Sequence, residues 1–227
     1  MDTIIIDNIP LTIDEDGFLE LLRIRTNSRQ ADEFVRLLTE ARDIAKPKAA
    51  FRPSYIENSD KDSLTIEGIL FSSRVLSINL EPSHVVFPFL ATCGREIEEW
   101  ARTIQNTLHS FWVDNIQLMA FGCAVSALES HLKRITGTTT FSSMNPGSLE
   151  DWPLSEQVPL FELLEDAPQE IGVTLEKNML LAPLKSATGI QFVSEEGFTN
   201  CRLCHREDCA GRREPFQSHL LQEKYSL

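Results

Sequence analysis

The densest chemistry in the sequence lies near its end, where Cys201-x-x-Cys204-x-x-x-x-Cys209 places three thiols within nine residues. Two thiolates two residues apart can bind one metal ion, and a third close by nearly completes a tetrahedral site. Iron–sulfur clusters use the same grouping of thiolates, so the spacing leaves zinc and an iron–sulfur cluster both open. Arg202, Arg206, Arg212 and Arg213 surround these thiols in an acidic chain. Their charge favours thiolate over thiol. We therefore expect residues 200–213 to form a Cys-rich metal-binding segment. Its fourth ligand would be Cys93, His205, His219, an exogenous group or a group from a partner. Cys93-Gly94 precedes a helical pattern holding Glu96, Glu98 and Glu99, a place where a thiol could meet an anion or a metal. Cys123, among alanines, reads as a small apolar residue. The five histidines form no ligand spacing among themselves, and no Walker loop, GxGxxG, GxSxG or HExxH is present.

The elements that must position these groups are read from periodicity. Residues 3–6 predict a short strand, and a short helix is expected around Gly17–Leu22. Ser28 caps a clear amphipathic helix through Ala31, Phe34, Val35, Leu38, Ala41 and Ala45, stopped by Pro47. Residues 54–92 read as β structure with three apolar runs, 64–71, 75–80 and 85–90. Pro88 is expected at an edge or bulge. The breaks are too short for helical crossovers, which predicts antiparallel pairing. One helical stripe runs through Ile97, Trp100, Ile104 and Leu108, and a second helix from Val113 to Ile135. Residues 136–153 read as a loop, Ser155 as the cap of a short helix, and 211–227 as a polar tail. Short strands are expected near Gly172–Leu175 and Ile190–Val193. Strands in one block and helices in another predict an α+β fold.

The 227 residues predict a single domain over 1–227, long enough to bury a core without staples. The net charge of −13 argues against nucleic acid or an anionic membrane surface as a partner. The N-terminus has no basic segment before an apolar run, and no apolar stretch of about 18 residues is evident, so neither a secretory signal nor a transmembrane helix is expected. Five cysteines, an odd number, argue for reduced thiols or metal ligands and a cytoplasmic protein.

Three stretches, taken in order, carry a resemblance. They are Ala91-Thr92-Cys93-Gly94-Arg95-Glu96-Ile97-Glu98-Glu99 with the helix through Phe121–Glu129, then Ser143-Met144-Asn145-Pro146-Gly147-Ser148-Leu149-Glu150-Asp151-Trp152-Pro153-Leu154, then Ile171–Leu175 and Pro183-Leu184-Lys185-Ser186 with Gly189-Ile190. From about Ile4 to Arg212 the chain resembles the activation domain of cobalamin-dependent methionine synthase, in the stand-alone form found beside corrinoid methyltransferases. The resemblance implies an α+β fold with a twisted antiparallel sheet and flanking helices. It also implies an S-adenosylmethionine cleft and a role as an accessory reactivation subunit in reductive remethylation of cob(II)alamin. The cobalamin would sit on a partner, either a corrinoid protein or a methionine synthase lacking its own activation domain, and the electron would come from a donor such as flavodoxin. Carried over residue by residue, the ligand loop is Ser143, Pro146, Gly147 and Ser148, with Asp151 and Trp152 shaping it and Glu129 and Lys185 as ligand contacts. The family pattern has an arginine where this chain has Ser143 and a tyrosine where it has Ser148. Those changes predict weaker S-adenosylmethionine binding, because serine cannot replace a two-pronged guanidinium contact. Two other readings follow from the same residues: a metal-stapled, non-enzymatic binding module, and a cleft turned to another small molecule.

Overall fold

A computed structural model of the chain describes residues 2–194, 197–206, 208–209 and 212–226. Its elements are β1 (Ile4–Ile6), α1 (Glu15–Leu21), α2 (Arg29–Ile44), β2 (Lys48–Phe51), β3 (Ser54–Ser59), β4 (Ser63–Ile66), β5 (Ile69–Ser72), α3 (Arg74–Leu80) and β6 (Val85–Thr92). They continue with α4 (Arg95–Ala101), α5 (Thr107–Thr136), β7 (Phe141–Met144), α6 (Gln157–Leu163), α7 (Ala167–Glu170), β8 (Thr174–Leu175), β9 (Leu181–Ala182), β10 (Ser186–Val193) and α8 (Ser218–Glu223). The α+β expectation holds. Eight strands form one sheet, every pair antiparallel, and β8 pairs with β9 separately.

Strand β6 is the axis of the large sheet. One side pairs with β10, and the other pairs first with β3 and then with β2. Its side chains alternate as a strand requires. Phe87, Phe89 and Ala91 pack under α5 with Ala124, Leu128 and Leu132, while Val86 and Leu90 face the opposite layers. Pro88 is therefore not at a sheet edge. Its carbonyl accepts the Arg52 N–H at 3.0 Å. A residue's N–H and C=O point the same way in a strand, so the missing N–H of Pro88 falls where the neighbour changes from β2 to β3.

Several local expectations are corrected. Val75–Leu80 is helix α3 and not a strand. Ser73 accepts the Leu76 N–H at 3.0 Å, and Val75, Leu76 and Leu80 share one buried face. The 64–71 run is a hairpin, turned at Glu67 and Gly68, both with positive φ. The stripe through Ile97 and Leu108 belongs to two helices, α4 and α5, because Asn106 caps α5 by accepting the His109 N–H. The loop expected over 136–153 contains β7, and α6 starts with no side-chain cap from Ser155 or any other residue. The tail carries α8 and the buried Tyr225. By length and composition α5 is also apolar enough to cross a membrane, which the sequence reading had not anticipated. Here it packs on β2 and β6 and against α2 and α4.

Candidate functional site

The α5 face of the sheet holds a cleft of about 560 Å³. Its walls are the second half of α5, strands β7 and β10, the 145–154 and 179–184 loops, and the segment around Thr199–Cys201 with Arg213.

The loop singled out in the sequence forms one wall by ordinary turn physics. The Ser148 N–H reaches the Asn145 carbonyl at 3.3 Å, closing a turn with Pro146 and Gly147 at its centre. Gly147 has φ +78, the value a type II turn demands at that place. Its N–H donates to the Trp152 carbonyl at 2.8 Å, and a Cβ there would lie 2.7 Å from Leu154. Asn145 anchors the turn to β10, its Nδ2 donating to the Thr188 carbonyl at 2.9 Å. Ser143, Pro146, Ser148 and Glu129 all line the cleft. Glu129 is half exposed, and its nearest cation is Lys133 at 3.9 Å.

The other expected ligand residues do structural work. Asp151 accepts from the Ser73 hydroxyl and from the N–H groups of Arg74 and Val75, so it holds the start of α3. Trp152 is fully buried in the core beside β7 and α6. Lys185 turns away from the cleft to pair with Asp114 at 2.9 Å, in a smaller depression against α4 and α5.

The expected metal segment is built differently from its spacing. Among the described residues, no three His, Cys, Asp or Glu side chains form a group able to hold a metal ion. Residues 207, 210 and 211 of the 200–213 segment lie outside the described residues. The segment is knitted by an arginine instead: the Arg212 guanidinium donates to the carbonyls of Cys201, Cys204, Arg206 and Glu214. The Arg202 guanidinium bonds Glu214 and holds that carboxyl below the usual range. Cys201 lines the cleft and its Sγ accepts the Arg213 N–H at 3.4 Å, whereas Cys204 packs on the core.

Cys93 belongs to another part of the molecule. It is buried with Phe34, Ile97 and Trp112 in the core of α2, α4 and α5, so it is no fourth ligand to the cysteine segment. Burial pushes its thiol up to about 12, with Glu98 adding to the effect. Alkylation needs thiolate, and at pH 8 a thiol with that pKa has almost none. Native protein treated with iodoacetamide at pH 8 should therefore leave Cys93 unmodified, while protein in urea should be modified there. Peptide mapping that found Cys93 alkylated in the native protein would contradict its placement.

Two cleft residues were missed in the sequence as ligand groups. Gln191 sits in β10 opposite Ser143 and reads there as one polar residue in an apolar strand. Arg213 joins the cleft lining from the C-terminal segment. Its sequence signal was only the run of arginines beside the cysteines.

No family model matches this chain, and no curated protein matches it in sequence. A solved structure does match: the MetH reactivation domain bound to AdoHcy, at 13% identity and a TM-score of 0.61, over 88% of this chain and 80% of that one. The chain has the MetH reactivation-domain fold. At this identity the likeness is one of fold, and it agrees with the family resemblance carried by the 91–99, 143–154 and 171–190 stretches. The curled antiparallel sheet and flanking helices of the reactivation-domain fold thus place Glu129 and the 143–148 turn on one cleft.

Proposed function

We propose that this chain is an accessory reactivation subunit for a corrinoid-dependent methyltransferase and binds an S-adenosylmethionine-type ligand in the α5 cleft. The observation that carries the reading is the meeting of the Asn145–Ser148 turn with Glu129 in one cleft, on the fold of a domain solved with AdoHcy. The chemistry would come from the ligand's methyl sulfonium and the partner's cobalamin, with one electron from a donor such as a flavodoxin. The chain's own part is to bind and orient. Glu129 supplies an acceptor for an ammonium, and Arg213 adds positive charge to the cleft without making the two-pronged carboxylate contact that Ser143 also lacks. The Pro146–Gly147 turn fixes where Pro146 and Ser148 meet the cleft.

A calorimetric titration with AdoHcy tests the ligand. Ser143 is expected to leave the affinity low, and Ser143→Arg should tighten it by about tenfold or more, the worth of one charge-assisted pair. Absence of saturable binding by both the natural chain and Ser143→Arg would end the ligand reading. The partner is tested separately. A cobalamin-bearing protein should bind at micromolar affinity and more tightly as cob(II) than as the methylated form, because a ligand with equal affinity for two states shifts neither. Equal affinity for the two forms would remove the reactivation role.

A further inference from the structure

Gln191 lines the cleft and is 3% exposed, and its buried Oε1 has no hydrogen-bond partner among the described residues. Asn200, a partly buried residue of the same cleft lining, also has a buried Oδ1 with no partner among the described residues. The two lie in adjoining segments: Gln191 pairs with Ser143 across the sheet, Ser143 bridges Thr199, and Asn200 follows. Buried carboxamide oxygens are almost always hydrogen-bonded in folded proteins, because an unmet acceptor away from water carries a large penalty. Two unmet acceptors beside one cavity therefore mark where a ligand donates. The walls around them are aromatic. Phe89, Phe141 and Phe198 line the same cleft, and such rings favour a flat π-system.

We infer that Gln191 and Asn200 form a recognition subsite for the exocyclic amine of a purine-type base, with the neighbouring phenylalanines holding the ring. An –NH2 group carries two N–H bonds, and two residues of the cleft lining each hold an unmet acceptor. The charged residues Glu129 and Arg213 belong to the rest of the cleft lining, where they would meet a different part of the ligand. The inference deepens the proposed function and rests on it for the identity of the whole ligand; the subsite itself requires only a base-bearing molecule.

The test is a calorimetric comparison of adenosine with purine riboside, the same nucleoside without the exocyclic amine. The natural chain should prefer adenosine by roughly tenfold, the effect of leaving a buried acceptor unmet. Gln191→Met should abolish that preference while keeping the volume of the side chain. Asn200→Ala, farther from the sheet interior, should reduce the preference and serves if Gln191→Met does not fold. Equal affinity of the natural chain for the two nucleosides, or no binding of adenosine, would overturn the subsite. Adenosine preferred while AdoHcy fails to bind would keep the subsite and end the S-adenosylmethionine reading. AdoHcy bound while the nucleosides are not distinguished would do the reverse.

Discussion

Gly189→Ala is expected to lower stability by about 3 kcal/mol or more and to abolish ligand binding. A Cβ at Gly189 would lie 2.3 Å from the Met144 carbonyl oxygen and 2.7 Å from Asn145 Nδ2. The first is backbone in a paired strand and cannot swing aside. The second is the anchor that holds the cleft turn on β10. Relief would require β7 to separate from β10, which removes a wall of the cleft. Gly122→Ala is the control. Nothing lies within 4 Å of a Cβ there, and the position is inside α5. That change should be stabilising by about 0.5–1 kcal/mol through helix propensity. Urea unfolding of the two variants decides the matter. A Gly189→Ala protein as stable as the natural one would show that β7 and β10 are not packed as described.

Tyr225→Ala should cost about 3–5 kcal/mol, as loss of a fully buried aromatic ring usually does. Tyr225 is 1% exposed, and its hydroxyl donates to Asn79 Oδ1 at 2.8 Å. Asn79 in turn approaches Met144 Sδ at 3.5 Å through Nδ2. A tail that reads as polar in sequence thus enters the core shared by α3, β7 and α6, with Leu220 and Leu221 beside it. Tyr225→Phe keeps the ring and removes one hydrogen bond, so it should cost only about 1 kcal/mol. Chemical denaturation of both variants separates volume from hydrogen bonding. Equal and small losses would mean that the tail is not docked.

Where one physical signal dominated, the sequence was legible. Helix α2 has a capping serine, an apolar face and a stopping proline, and all three agree. The 85–90 run is apolar throughout because β6 is buried on both faces. The 75–80 segment deceived because Val-Leu-Ser-Ile-Asn-Leu serves either period; what decides it is a cap at Ser73 and a carboxylate, Asp151, brought from far along the chain. β7 was hidden by its serines. Ser142 is buried only because its hydroxyl accepts the Phe198 N–H, a contact no local pattern announces. In the site, the Pro146–Gly147 turn was legible because its residues are those the turn geometry demands. Gln191 was not, since a single polar residue in a strand gives no hint that its acceptor stays unmet. Arg212 satisfies the carbonyls of the cysteine segment from its centre, and cysteine spacing alone does not reveal such a knot.

The central position of β6 also has a consequence for how the protein is made. Its partner β10 pairs with it across a long stretch of chain; Ser186 and Thr92, which face each other, are 94 residues apart. Closing so long a loop is entropically costly, and topologies dominated by such pairings fold slowly. Until β10 arrives, one edge of β6 presents unpaired backbone groups on an almost wholly apolar strand, a template for pairing with other chains. On the ribosome that edge stays open while everything from α4 to β9 is synthesised. The protein is therefore most prone to aggregate before β10 is in place, and the cleft floor, which needs β10, is among the last parts to exist.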